Sequence, residues 1–114
     1  IYDAVGGDYA EPALRSIAWA GRYLVIGFAA GPIPRIPLNL ALLKGCEIVG
    51  VFWGAWVDRN PELHAEAVEE LFALYAQGAI RPHVSEHFPL GRGSEAIDHL
   101  ASPKALGKVV VMVD

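Results

Sequence analysis

The sequence predicts an α/β fold in which parallel strands are joined by crossover helices. Three short apolar segments each run into a glycine, and they span residues 1–5, 23–26 and 47–53. Segments with helical spacing separate them. Ligands of open α/β sheets bind outside the carboxyl ends of parallel strands, and glycine there allows close backbone approach. The glycine-ended strands therefore predict one wall of a nucleotide site.

The first two strands enclose a predicted helix over residues 8–18. Pro12 lies near its start, where a missing N–H is tolerated, and Leu14 and Ile17 belong to an apolar stripe at helical spacing. Gly21 is expected to end this helix, and the apolar run over residues 22–27 is typical of a strand buried in a parallel sheet. A short helix over residues 38–44 is then stopped by Gly45.

The clearest helix signal begins at Pro61, with Asn60 as a candidate N-cap and Glu62 adding negative charge to the first turn. Gln77 and Gly78 end it. Its apolar residues recur at steps of three and four, so the pattern predicts one stripe facing a core: Leu63, Ala67, Val68, Leu71, Phe72 and Tyr75.

Beyond Ile80 the pattern changes to an extended segment over residues 84–88, a short helix over 94–101 and a final strand over 108–113. This order predicts a second β-α-β unit. Pro82 and Pro89 mark a possible change of domain. We therefore predict a first domain over residues 1–80 and a second segment over residues 81–114.

Composition limits the classes of protein. Apolar residues make up 54 % of the 114 residues, which suggests surface that other sequence or a partner covers. The formal charge of −4 and the absence of a basic run argue against a nucleic-acid surface. The apolar stretches are too short to cross a bilayer, so no membrane partner is expected. The lone Cys46 fits a reducing compartment, with the cytoplasm as the default.

The start of the chain also carries an expectation. It opens directly on a strand, with no methionine, leader or phosphate-binding loop before it. We expect these residues to be part of a larger protein.

Four stretches resemble the C-terminal part of quinone oxidoreductases, the zinc-independent branch of the medium-chain dehydrogenase/reductase superfamily. They are YDAVGG (2–7), GRYLVIGF (21–28), LNLALLKG (38–45) and GKVVV (107–111). The resemblance covers essentially the whole chain in order. It implies the second half of a Rossmann domain that binds NADPH, followed by a β-α-β return into a catalytic domain of distorted barrel type.

The resemblance also implies cofactor-binding positions, each at a strand end or at the start of the last strand. They are Val5 and Gly6 on the adenosine and ribose side, Gly27 and Phe28 beside the nicotinamide, Phe52, Trp53 and Gly54 near the carboxamide, and Lys108 where the chain returns to the cleft. Other interpretations stay open. The glycines could be ordinary turns, the aromatic residues could pack on another subunit or domain, and Lys108 could be a solvated lysine.

Catalytic and metal-binding residues are not predicted. The serines lack the context of a nucleophile elbow. His83 and His87 would lie roughly 13 Å apart on an extended strand, too far to share one ion, and Cys46 is alone. Hydride chemistry would belong to the cofactor.

The function expected from the resemblance is hydride transfer from NADPH to a quinone or an activated alkene, a small-molecule substrate. The fragment alone is expected to be inactive, because the residues that hold the pyrophosphate would lie in the missing N-terminal part. One alternative is an enoyl-thioester or enone reductase of the same superfamily. Another is a non-catalytic association module, in which an edge strand over residues 48–53 pairs with its twin in a homodimer.

Overall fold

The structure, a computed structural model, describes residues 1–103 and 105–113. The chain divides into two compact units, the first being Ile1–Glu62 and the second beginning at Leu63.

A three-stranded parallel sheet organises the first unit, with β1 (Tyr2–Asp3), β2 (Arg22–Val25) and β3 (Glu47–Gly50) in that order. β1 pairs with β2 and β2 pairs with β3, both in parallel. The predicted parallel α/β architecture is thus confirmed.

Two helices cross between these strands. A 3-10 turn (Gly7–Tyr9) leads into α1 (Ala10–Ser16), and α2 (Asn39–Lys44) precedes β3. Gly45 ends α2 in the left-handed conformation, with φ of 56°, as its position predicted. The helices and the central strand enclose a core of buried side chains from Ala10, Leu14, Ile17, Tyr23 and Leu40.

Two element boundaries differ from the prediction. α1 ends at Ser16, so Gly21 does not end it, and β1 is shorter than the predicted 1–5. β1 ends because the N–H groups of Val5 and Gly6 donate to the Asp3 side chain. Local side-chain hydrogen bonds of this kind compete with the sheet ladder.

The third strand was predicted wrongly at its end. β3 stops at Gly50, and Trp53 is the first residue of a helix that the sequence did not reveal, α3 (Trp53–Arg59). The prediction fails because a short apolar run does not distinguish a buried strand from a helix. An edge strand over residues 48–53 is therefore reduced to the part before Val51.

The long helix α4 (Pro61–Ala76) has the bounds that its Pro and Gly signals predicted. Its core-facing stripe was predicted wrongly: Leu63, Leu71, Phe72 and Tyr75 are all more than half exposed. Asn60 uses its side-chain amide to donate to the Trp56 carbonyl at 2.8 Å. No helix among the described residues is long and apolar enough to span a membrane.

The rest of the second unit is the predicted β-α-β arrangement. β4 (Val84–Pro89) leads through a 3-10 turn (Leu90–Arg92) to α5 (Gly93–Ala101), and β5 (Lys108–Met112) pairs in parallel with β4. The register slips between Val84 and Glu86. Within the described part of this unit, Ala96 is the one buried apolar residue.

Candidate functional site

The carboxyl ends of β1, β2 and β3 carry most of the predicted site residues. Val5 and Gly6 follow β1, Gly27 and Phe28 follow β2, and Phe52 follows β3. Because the three strands are parallel and adjacent, these ends lie along one edge of the sheet. The structure thus brings these five residues to one side of the first unit.

The turn after β1 is fixed by the Asp3 carboxylate. Its Oδ1 accepts hydrogen bonds from the N–H groups of Val5 and Gly6, both at 2.9 Å, and its Oδ2 accepts one from the Tyr23 hydroxyl. Gly6 adopts φ of 65°, which a residue with a side chain rarely takes. A Cβ on Gly6 would lie 2.8 Å from Cδ1 of Phe28, so glycine is required for this close approach.

The loops after β1 and β2 are joined by backbone hydrogen bonds. Gly27 N–H donates to the Asp3 carbonyl at 3.3 Å. The N–H groups of Ala29 and Ala30 donate to the carbonyls of Ala4 and Val5 at 3.1 and 2.9 Å. Phe28 lies within this joined segment, and the residue remains 40 % exposed.

Beside Phe28 the carboxyl ends of β2 and β3 enclose an open depression of about 370 Å³. Its lining consists of apolar residues and one glycine: Val25, Ile26, Phe28, Gly50, Val51 and Phe52. A second depression of about 340 Å³ shares Gly50, Val51 and Phe52 and adds Trp53 and Trp56. Such a surface suits a flat aromatic group held by shape and backbone contacts.

The predicted location of Trp53 and Gly54 at the end of a strand is wrong. They lie in the first turn of α3, whereas the sequence placed them at a strand end. The Trp53 and Trp56 rings stack, with centroids 5.3 Å apart and planes 19° apart. Phe52, just before the helix, is 81 % exposed. The stacked Trp53 and Trp56 are therefore carried by a helix, and they lie beside the depression that Phe52 lines.

Lys108 belongs to the second unit, where it is the exposed first residue of β5. Its N–H donates to the His83 carbonyl at 2.8 Å, and its carbonyl accepts from the Ser85 hydroxyl at 3.3 Å. These contacts set the start of the strand. The cofactor contact predicted for Lys108 stays a prediction.

Asp3 and Tyr23 are the residues that sequence reasoning missed. Hydrogen bonds from the Gly6 N–H and the Tyr23 hydroxyl lower the pKa of Asp3. Burial and the bond to Asp3 raise the pKa of Tyr23 to about 12. The available signal was an Asp placed shortly before a glycine turn, a position where Asp side chains bond to backbone amides.

Among residues 1–103 and 105–113, no group of three or more His, Cys, Asp or Glu side chains lies where it could hold a metal ion. Zinc independence remains a prediction from the resemblance.

The sequence of this chain is similar to those of known oxidoreductases. A family model described as zinc-binding dehydrogenase matches residues 1–111. A quinone oxidoreductase-like protein 2 homolog from Nematostella vectensis is 39 % identical over 112 residues, which are 97 % of this chain and 31 % of that protein. The chain thus spans about a third of the length of the curated relatives that it matches.

Two solved structures share the fold over nearly the whole chain. A mycobacterial protein solved with NADPH has a TM-score of 0.84 and 26 % identity, covering 98 % of this chain and 34 % of its own. The quinone oxidoreductase of Thermus thermophilus, also solved with NADPH, has a TM-score of 0.81 and 28 % identity, covering 98 % and 36 %. The fold is therefore that of the Rossmann-like domain of quinone oxidoreductases.

Proposed function

Because this chain belongs to the zinc-binding dehydrogenase family, we propose that it forms the nicotinamide-side wall of an NADPH-dependent oxidoreductase. The observation that supports this most directly is the apolar depression at the carboxyl ends of β2 and β3. The family and the solved relatives support an oxidoreductase. NADPH as its cofactor, and a quinone or activated alkene as its substrate, are our proposal.

The depression fits one part of the cofactor. Its apolar lining suits a flat nicotinamide ring, and a Cβ on Gly50 would meet nothing within 4 Å, so the backbone there is open to a ligand. Residues that cradle the pyrophosphate and select the 2′-phosphate belong, by the resemblance, to sequence before Ile1. This chain is proposed to hold the nicotinamide end and, through Val5 and Gly6, to border the adenosine and ribose side, but not to hold the phosphates.

The chemistry of the reaction comes from the cofactor. NADPH supplies a hydride, which together with one proton reduces a quinone to its hydroquinone and leaves NADP⁺. The residues of this chain bind and position: Phe28 gives one apolar wall, and Phe52 covers the depression from the β3 side. Both exclude water from the bound ring, which strengthens the polar contacts made inside the site.

The experiment uses the complete protein that contains these residues. It should oxidise NADPH with 1,4-benzoquinone or 9,10-phenanthrenequinone, and an enone and an enoyl thioester serve as parallel substrates. Exclusive turnover of the thioester or enone would favour the alternative reductase. No turnover of any of the four would contradict the proposal.

A variant pair tests the depression itself. Phe28→Ala should raise the KM for NADPH about ten-fold, because it removes a wall of the nicotinamide site. Leu42→Ala is the control, since Leu42 is an exposed apolar residue on α2 outside the depression. Equal effects of both substitutions would count against the assignment of Phe28.

The 114-residue chain alone should not bind NADPH at micromolar concentrations. Phosphate contacts contribute much of the affinity for a dinucleotide, and the resemblance places them outside this chain. Isothermal titration of NADPH onto the isolated chain checks this. Tight binding would mean that these residues hold the phosphates as well.

A second candidate function is self-association without catalysis, through the edge strand β3. β3 is an edge of the three-stranded sheet, and Ile48 on it is partly exposed. An open edge with apolar side chains can pair with a second copy of itself. Sizing chromatography at two concentrations tests this: a homodimer that Ile48→Lys disrupts supports it, and a stable monomer at both concentrations contradicts it.

A further inference from the structure

Asp3 connects two strands and a turn through a single carboxylate. It ends β1, bonds the backbone of the turn through Oδ1, and accepts the Tyr23 hydroxyl from β2 through Oδ2. Tyr23 is 1 % exposed and belongs to the core. The turn after β1 is therefore anchored to the most deeply buried part of the unit.

The anchored turn in turn fixes the loop that carries Phe28. Gly6 and the Phe28 ring are so close that no Cβ fits between them. The two peptide groups whose N–H groups donate to Asp3 also present the carbonyls of Ala4 and Val5, which accept from the amides of Ala29 and Ala30. A shift of the first turn must therefore displace the second loop, because close-packed groups cannot absorb it.

We propose that Asp3 and Tyr23 are positioning residues that set the location of the Gly6 turn and of the Phe28 ring in the cofactor site. The inference rests on the proposed function, because it gives these residues a role in NADPH binding. Neither residue lines the depressions beside Phe28. They act through Gly6 and Phe28, as supporting residues behind a ligand site commonly do.

The charge of the site agrees with this role. The carboxylate accepts three hydrogen bonds, each of which favours its ionised form, so Asp3 stays an acceptor at neutral pH. Arg22 precedes Tyr23 on β2, but its guanidinium is paired with Glu47 at 2.8 Å. Asp3 forms no ion pair with the described side chains, so the N–H groups of the turn and the Tyr23 hydroxyl hold its carboxylate.

The test uses the complete protein and two measurements. Asp3→Ala should weaken NADPH binding about ten-fold, and Tyr23→Phe, which leaves the Oδ1 bonds in place, about three-fold. Asp3→Asn keeps an acceptor for the turn and serves if Asp3→Ala does not fold. Ile17→Ala is the matched control: it weakens the same core, and Ile17 makes none of the backbone hydrogen bonds that join the two loops.

Hydrogen exchange of the amides of Ala29 and Ala30, measured without NADPH, is the second readout. Asp3→Ala should speed their exchange about ten-fold although Asp3 does not touch them, whereas Ile17→Ala should not. A merely structural role predicts that both variants change exchange and affinity alike. That result, or an unchanged affinity in Asp3→Ala, overturns the inference.

The two proposals fail in different ways. If the wild-type protein does not bind NADPH, the proposed function fails and the role of Asp3 in binding falls with it. If the wild-type protein binds NADPH and Asp3→Ala binds it equally well, only the positioning role is wrong.

Discussion

The two units share a parallel β-α-β plan but differ in how much of their apolar sequence they bury. In the first unit, α1, α2 and β2 enclose five buried apolar side chains. In the second, Ala96 alone is buried among the described residues, and α4 presents its apolar stripe at the surface. The same kind of sequence pattern thus produces the same elements with opposite outcomes for burial.

The exposed face of the second unit is a groove of about 590 Å³. Its lining is almost wholly apolar and comes from α4 and the segment leading into β4: Val68, Leu71, Phe72, Tyr75, Ile80, Pro82 and Val84. A stripe at helical spacing predicts that a surface will be covered, but it does not say by what. The groove is therefore apolar surface that the described residues of this chain leave uncovered.

The largest expected effect is a loss of stability on substituting a buried residue of the first unit, compared with an exposed residue of the second. Leu14→Ala should lower the free energy of unfolding of the first unit by about 2–5 kcal/mol, because it leaves a cavity in the one enclosed core among the described residues. Urea unfolding followed by circular dichroism measures this. Ile97→Ala on α5, where the side chain is 70 % exposed, should change it by only about 0.5 kcal/mol.

Equal losses from Leu14→Ala and Ile97→Ala would break the comparison. They would mean that Ile97 is buried in solution and that the second unit has a core of its own.

The next effect concerns the buried hydroxyl of Tyr23 in the first unit. Because the pKa of Tyr23 is raised to about 12 in the folded state, the folded protein holds this proton more tightly than the unfolded chain. The stabilisation is complete below the unfolded pKa of about 10 and is lost as the pH rises through the folded value. Tyr23→Phe should lower the free energy of unfolding by about 1–3 kcal/mol at neutral pH. The variant should also lack the part of the stability loss at high pH that comes from ionisation of Tyr23.

Unfolding of both proteins from pH 8 to pH 12 checks the sign. A wild type and a Tyr23→Phe variant that lose stability in parallel above pH 10 would show that Tyr23 does not carry the effect.

Much of the fold was predictable because its signals are local. Gly45 stops α2, Pro61 starts α4, and the parallel direction of the strands follows from crossover connections between apolar segments. The site was predictable only in part. Gly6 and Phe28 follow the strands that the sequence predicted, but Trp53 lies in a helix, since an apolar run of aromatic residues fits either element.

What the sequence did not reveal depends on distant contacts. The partnership of Asp3 with Tyr23 joins residues twenty positions apart, and no local pattern pairs them. The burial of Leu14 and the exposure of Phe72 follow from which surfaces meet, although both lie on apolar helical stripes. Local sequence patterns predict helices and strands, whereas the burial of a side chain depends on which other surface packs against it.

A smaller effect tests the groove of the second unit. Phe72→Glu should at least halve the binding of the dye ANS, because it places a charge in the apolar lining, while the urea midpoint stays within error. Leu63→Glu is the control, since Leu63 is exposed on the same helix outside the groove. Unchanged dye binding in Phe72→Glu, or an equal drop in Leu63→Glu, would show that the groove is not the apolar surface the dye detects.

The smallest effect is expected at the ion pair between Arg92 and Glu95, whose atoms lie 2.6 Å apart with both side chains more than half exposed. The hydrogen bond from Arg92 lowers the pKa of Glu95, so any stabilisation is present above the ordinary pKa of Glu and is lost as the pH falls below it. Solvent screens such a pair, and ordering two long side chains offsets the attraction. Glu95→Gln should therefore leave the urea midpoint within error at pH 7, both in low salt and in 1 M NaCl. A clear loss that salt removes would mean that the second unit, with so little of its described apolar surface buried, depends on surface charge for its stability.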